Sequence, residues 1–473
     1  MLLAFGSSAA AQDDTAIKLP DIGDSSEAIL SSADDARLGQ AFMREVRASV
    51  DVIDDPEIES FIQNLGYRIT AGDDARDHSF FFFMVNDEAI NAFAGPGGHI
   101  GVHTGLVLAT ESEDELASVL AHETAHVTQR HIARAYENAS RNNIPALAGI
   151  IAAIALGAVS GSADAGVAAA SAIAGLQVQN QIDLIRANEK EADRVGMELL
   201  SKADFDPRAM PAFFEKLQTS SRYYRTPPEF LSTHPVTTSR IADSRARAER
   251  YAYRQTPGSF DYHLTVAKIR VLTAPSPQVA VDYFTKIVES GSHRNADAAA
   301  YGWGLSLAAS RRYDQAAQVL GELESKHPRE PRFKIALAAM ALERGRIDEA
   351  VAKYEAAYRN FPDNKALVFG YADALLRANR GAQALDVTND YARAYGREGR
   401  LYKLEADAYA QAGRPVDSQL ALAEHLYLDG RLDAAINQLR KASGQTRANF
   451  YDGSRIAARL KALEDERLLR AQR

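Results

Sequence analysis

No cysteine occurs among the 473 residues. Disulfides, thiolate metal sites and a lipid-bearing cysteine are therefore excluded, and any metal has to be held by histidines and carboxylates. Positive charge is also short. The chain carries 54 Lys and Arg against 63 Asp and Glu, a net charge of −9, and so lacks the basic surface that marks a nucleic-acid binder. A bilayer span takes about 20 apolar residues in a row, and the most apolar stretch falls short of it. Ile144 to Leu176 is rich in Ala and Gly with Asp164 as its only charge, but it breaks at Ser160-Gly161-Ser162. The segment 144–176 is read as a buried or membrane-touching helical hairpin. Basic residues are missing ahead of the first apolar stretch as well. Met1 to Gln12 nonetheless runs into Ala9-Ala10-Ala11, a cleavage-site pattern, followed by Asp13-Asp14. Residues 1–11 are thus expected to be the remnant of a secretory signal, and the chain to be periplasmic.

The remainder has the composition of a folded protein, 46% hydrophobic and 25% charged with a mean hydropathy of −0.27. Its length suits two or three domains. A polar leader over 12–36 precedes helical spacing at Leu38, Phe42, Val46 and Val50, then at Ile58, Phe61, Ile62 and Leu65. Asp54-Asp55-Pro56 separates the two helices, with Pro at a helix start. Phe80 to Val85 predicts a buried strand. Asn91–Ala94 and His99–His103 flank Gly95-Pro96-Gly97-Gly98, which predicts a hairpin and hence a small sheet. Within it, Asn91, Phe93, Gly98 and Ile100 are candidates for an edge on which an extended peptide adds a strand.

The segment that carries chemistry is His122-Glu123-Thr124-Ala125-His126. Ser112 with Glu115 forms a capping box, and Glu113 and Asp114 favour a helix N-terminus. Leu116, Val119, Leu120 and Val127 give that helix a buried face. On a helix, i and i+4 share a side, so His122 and His126 can hold one metal ion. Glu123 sits beside them, placed to take a proton from a metal-activated water that attacks a peptide carbonyl, and to hand it to the leaving amine. A catalytic zinc needs a third protein ligand. A later His after a Gly is ruled out, because Gln129 and Ile132 stand there, and His131 is expected on another, exposed face. Asn188 to Gly196 supplies glutamate instead. Ile185, Glu189, Ala192, Gly196 and Leu199 share one helical face, largely apolar and small, while Glu191 falls on the polar side. Glu189 therefore points inward. Asp193, at i+4 from it, is placed to receive the other N–H of a ligating imidazole.

The second half differs in kind. Pro328 and Pro362 stand 34 residues apart, and small residues recur at Gly304, Ala338, Ala372 and Ala406, then at Ala316, Ala350, Ala384 and Ser418. Turn phrases such as Gly345-Arg346-Ile347-Asp348 and Gly430-Arg431-Leu432-Asp433 join the helices. Period and pattern resemble tetratricopeptide (TPR) repeats, whose concave face is expected to bind other proteins. The boundary is set near Thr256-Pro257-Gly258, which gives a protease domain over 37–255 and a repeat domain over 256–473.

His122-Glu123-x-x-His126 with Glu189-x-x-x-Asp193 resembles the gluzincin peptidases of the HtpX and CAAX prenyl protease type, over about Leu38 to Glu249. The resemblance implies one zinc ion on His122, His126 and Glu189, and a catalytic Glu123. Ser232-Thr233-His234-Pro235, followed by Arg240-Ile241, resembles the late His-Pro and Arg-Ile segment of that family. His234 is a candidate either to cover the open zinc position or to bind the oxyanion, and Arg240 either to serve the oxyanion or to tie the segment down. With an export signal and TPR repeats, the chain resembles the BepA/YfgC-like periplasmic proteases, which implies a role in outer-membrane protein quality control. The expected architecture is mainly α: an α+β zinc-protease domain with a small β-sheet, followed by an all-α TPR solenoid. The expected function is degradation of misfolded or stalled envelope proteins, with the TPR half recruiting substrate or the outer-membrane assembly machinery. A TPR chaperone with a latent protease site and a membrane-associated peptidase are the alternatives.

Overall fold

The computed structural model describes residues 31–72, 78–135, 176–223, 228–254, 258–445 and 450–471. The expected signal remnant, and the apolar segment up to residue 175, lie outside them. Helix α1 (Ser32–Ser49) starts within the expected leader, where the Ser31 side chain accepts from the Asp34 amide and Asp34 and Asp35 sit at the positive end of the helix dipole. Helix α2 (Pro56–Thr70) opens on Pro, with Asp55 accepting from the amides of Glu57 and Ile58.

Strands β1 (Phe81–Val85), β2 (Ala92–Ala94) and β3 (His99–His103) form one sheet in the order β1-β3-β2. β2 and β3 are the two arms of the expected hairpin and pair antiparallel, while β1 pairs parallel to β3 on its other side. Gly98 has φ +72°, and a Cβ there would stand 1.8 Å from the Ser79 carbonyl oxygen, so the turn requires glycine. One face of the sheet, through Phe82, Met84, Ala92, Ile100 and Val102, enters the main core with Ile58, Phe61, Ile62, Leu65, Leu116 and Leu120. Phe83, Val85 and Phe93 face the other way, onto Phe42 and Val46 of α1. Both faces are covered from Phe82 to Val85, which is why that part of the run is apolar throughout rather than alternating; Phe81 is 47% exposed and stacks on His99.

Helix α3 (Thr104–Ala109) leads from β3 into α4 (Glu113–Thr128), which carries the motif. Across α4 lies α5 (Leu176–Lys202), and a Cβ on Gly196 would stand 3.2 Å from the Ala121 backbone. Small residues on α5 therefore let the two helices meet one residue before His122. Helices α6 (Ala209–Tyr223), α7 (Glu229–Thr233) and α8 (Thr238–Ala248) close the domain.

From Phe260 on, the chain is a series of helices packed in pairs, and every small residue predicted at a helix crossing is buried, from Gly304 and Ala316 to Ala406 and Ser418. The two halves are not independent. Tyr262 and Ile269, on the helix Phe260–Leu272, belong to the protease core. The Tyr262 hydroxyl is 2.9 Å from that of Thr110, and Glu113 accepts from the Ser259 amide at 2.8 Å. The acidic first turn of α2 is gripped by the first helices of successive repeats. Lys268 pairs with Asp55 at 2.8 Å and Glu57 at 2.6 Å, Tyr301 donates to Glu57 at 3.3 Å, and Lys365 pairs with Glu59 at 2.8 Å. Part of the repeat array's surface is thus covered by the chain's own α2.

Candidate metal centre

The motif helix begins where its sequence indicates. The Ser112 hydroxyl accepts from the Glu115 amide at 3.2 Å, and the Glu115 carboxylate reaches back to the Glu111 amide at 2.6 Å. The helix then runs beneath β2 and against α5 and buries His122 and Glu123 almost completely. As the phase of α5 predicts, Glu189 and Asp193 are buried and face α4, but the same face does not stay covered towards its start. Ile185, one turn earlier, is 44% exposed, because a helical face is buried only as far as a neighbour extends. It lines a cleft of about 280 Å³ with Pro235 and Arg240.

Four groups converge, and their ligand atoms all lie within 4.8 Å of one another: His122, His126, Glu189 and His234. Nε2 of His122 and Nε2 of His126 are 3.1 Å apart. The Glu189 carboxylate is 3.4 Å from each of them. His234, at the end of α7 and stacked on Phe230, brings Nδ1 to 3.0 Å from Glu189 and 3.4 Å from His122 Nε2. Its Nε2 lies 3.5 Å from the Glu123 carboxylate.

Asp193 and Arg240 support this cluster from behind. His122 Nδ1 is 3.0 Å from Asp193. Arg240 donates to both Asp193 oxygens at 2.8 and 2.7 Å, pairs with Glu189 at 2.8 Å and donates to the Pro235 carbonyl at 3.0 Å. Its guanidinium also lies over the Phe214 ring at 5.1 Å. It is buried and fully engaged, which is the geometry of a tie rather than of a free oxyanion donor.

The electrostatics follow from these partners. Burial opposes a charge on His122, but Asp193 and Glu189 outweigh it and hold its pKa up at about 9. Burial pushes His126 well below the ordinary imidazole value, and the neighbouring His122 and His234 add to that shift. Burial alone would raise Glu189, yet His234, His122 and His126 keep it well below the usual carboxylate range. Asp193 behaves in the same way, with Arg240 and His122 overcoming its burial.

Three expectations are corrected here. His131 is not on the surface: it is 5% exposed, and its Nδ1 lies 2.9 Å from Nδ1 of His126. The helix ends at Thr128, and Arg130 takes the left-handed conformation with φ 53°, which folds the chain back and overrides the helical phase. Glu191 is half-buried rather than solvated, because His131 and Arg134 reach it. The edge strand is corrected as well. Ile100 lies in the central strand β3, Asn91 and Phe93 are buried, and Gly98 is in the turn. Gly95 donates to His99 and His103 to Asn91, so the odd-numbered positions bond β3 and the backbones of Ala92 and Ala94 point away from it, Ala92 buried and Ala94 partly exposed.

Residues 54–248 match the model of Peptidase family M48, and residues 301–365 and 341–408 match tetratricopeptide repeat models. The class is a metalloendopeptidase joined to a TPR array. The chain is 36% identical over 449 residues to the beta-barrel assembly-enhancing protease of Yersinia pestis, covering 94% of this chain and 91% of that protein. The protein of the same name from Escherichia coli K12 is 33% identical over 462 residues, 98% of this chain and 94% of the relative. A mitochondrial metalloendopeptidase OMA1 from Schizosaccharomyces pombe is 30% identical over 181 residues, 38% of this chain and 50% of the relative. The chain belongs to the family of the beta-barrel assembly-enhancing proteases, and its M48 peptidase part precedes its TPR repeats.

Proposed function

We propose that the chain is a zinc endopeptidase of the bacterial periplasm that degrades misfolded or stalled outer-membrane proteins. The observation that carries the metal is the convergence of His122, His126, Glu189 and His234, whose ligand atoms lie within 4.8 Å of one another, with His122, His126 and Glu189 at 3.1–3.4 Å from each other. Ligands on one tetrahedral ion at about 2.0–2.2 Å stand roughly 3.3–3.6 Å from one another. Glu123 fits the same centre: it is fully buried, and neither carboxylate oxygen has a hydrogen-bond partner among the described residues. A carboxylate buried that way is costly unless a charge faces it.

His122, His126 and Glu189 would hold the ion, and a donor set of imidazoles and one carboxylate suits zinc. When bound, zinc supplies a Lewis acid that polarises the scissile carbonyl and acidifies the attacking water. Glu123 takes the proton of that water and delivers it to the leaving amine. Asp193, 3.0 Å from Nδ1 of His122, would take the proton of that nitrogen and so leave Nε2 to face the ion. Arg240 holds Asp193, Glu189 and the Pro235 segment in one arrangement. His234 stands beside His122 and Glu189, where it would cover an ion held by His122, His126 and Glu189 and would have to withdraw for a water or substrate to reach it. Substrate then adds as a strand along Ala92 and Ala94.

The name of the relatives ties those proteins to β-barrel assembly. With the TPR array, this supports unfolded envelope proteins as substrates and the outer-membrane assembly machinery as a partner. A second reading, an assembly factor whose protease site is latent, is favoured by His234 lying over the centre. Among the described residues no helix is long and apolar enough to cross a membrane; a peripheral contact through 144–176 remains part of the membrane-associated alternative.

The test is zinc content together with casein cleavage by the wild type, Glu123→Gln and Glu189→Ala. The expected result is zinc in the first two, cleavage only in the first, and neither in the third. Envelope function that survives Glu123→Gln would favour the second reading. His234→Ala is expected to raise basal cleavage; lost turnover would give His234 a role in the reaction instead, and unchanged cleavage would rule out both.

A further inference from the structure

The proposed chemistry makes no use of a second buried histidine behind the site. His131 follows the turn at Arg130 and stands against His126, the two Nδ1 atoms 2.9 Å apart. On its far side, His131 Nε2 is 3.2 Å from the Glu191 carboxylate, and Arg134 Nη1 donates to the same oxygen at 2.8 Å. The direction of each hydrogen bond follows from the one before it. A His126 that meets the ion through Nε2 carries its proton on Nδ1. His131 must then accept at Nδ1, so its own proton sits on Nε2 and is donated to Glu191. Arg134 holds that carboxylate in place and compensates its charge.

The arrangement repeats, one ring removed, what Asp193 and Arg240 do for His122. His122 meets a carboxylate directly, Asp193, which Arg240 holds; His126 meets one through the intervening ring of His131, and Arg134 holds that carboxylate, Glu191. We infer that His131, backed by Glu191 and Arg134, is a positioning relay that fixes the tautomer and ring orientation of His126 and thereby raises the affinity of the centre for zinc. The inference rests on His126 being a metal ligand. The helix break is what makes the relay available, since an unbroken α4 would carry residue 131 to another face of the helix.

The experiment measures zinc affinity of the full chain by competition with a chromophoric chelator, and the visible spectrum of the cobalt(II)-substituted protein. His131→Leu fills the space but cannot accept from His126. It is expected to weaken zinc binding about 10–100-fold and to shift the cobalt bands. His131→Gln can accept through its carbonyl and donate to Glu191 through its amide, and is expected to restore most of both. Glu191→Ala is expected to give a smaller loss that is not additive with His131→Leu. An affinity in His131→Leu within about twofold of wild type, or His131→Gln as weak as His131→Leu, overturns the relay. Should His131→Leu fail to fold by circular dichroism, Glu191→Ala and His131→Gln decide: unchanged zinc affinity and cobalt spectrum in Glu191→Ala overturn it. His126→Ala separates the two levels, because unchanged zinc affinity there would remove the ligand assignment itself.

Discussion

Glu123 is fully buried, and among the described residues neither of its oxygens accepts a hydrogen bond, which is a costly state for a carboxylate and a useful one for a base that works once per turnover. Replacing it by Gln keeps the shape and removes the proton acceptor. Turnover of a peptide substrate is expected to fall about 10²–10⁴-fold, with zinc stoichiometry by elemental analysis unchanged. Substantial residual cleavage would mean that another group serves as base. The residues of this centre differ in how legible they were. His122, Glu123 and His126 follow from one continuous capped helix, and Glu189 and Asp193 from the phase of another. His131 did not follow, because a single left-handed residue, Arg130, reset the phase that the inference relied on.

Among the elements, α4 and α5 form the centre only because they meet closely. A Cβ on Gly196 would lie 3.0 Å from Met210 Cε and 3.2 Å from the Ala121 carbonyl. Gly196→Val is therefore expected to push α5 away from α4, to cost about 1–3 kcal/mol, and to lower zinc affinity because Glu189 moves with its helix. Thermal denaturation with and without zinc checks both effects. The sheet gives a second prediction. The Ala94 amide points to the free edge, so Ala94→Pro removes one donor from a substrate strand without breaking the β2–β3 pairing. Peptide cleavage is expected to drop while zinc content and fold are kept; unimpaired cleavage would reject substrate binding along β2. Ile100 could not serve for that test, since it lies in the central strand and Pro there would break the sheet itself.

For the whole molecule, the protease and repeat halves share a core at Tyr262 and Ile269 and an ion cluster at the start of α2. Deleting residues 259–473 would thus damage the peptidase as well as the array. Burial alone would raise the Asp55 pKa, but Lys268 holds it below 3.8. A carboxylate lowered in the folded state adds stability that is fully present above its ordinary value and is lost as pH falls through its folded value. Asp55→Asn keeps a good helix cap and removes the charge. The stability difference between wild type and this variant, read by urea denaturation, is expected to be full at pH 7 and to shrink as pH falls below about 3.8. A difference that stayed constant with pH would show that the ion pair contributes nothing to joining the halves.

By itself, the sequence determined whatever depends on residues close together in the chain: the capped motif helix, the hairpin, the phase of Glu189 and Asp193, and the repeat period. Local propensity and helical or strand periodicity act within a few residues, so they leave a readable trace. The tertiary structure alone decided how distant parts meet: β3 placed between β1 and β2, His131 turned beneath His126, His234 brought over the centre, and α2 seated against the repeats. These depend on which surfaces find each other when the apolar faces are buried, and strand order and interdomain contact have no periodicity in the chain that would announce them.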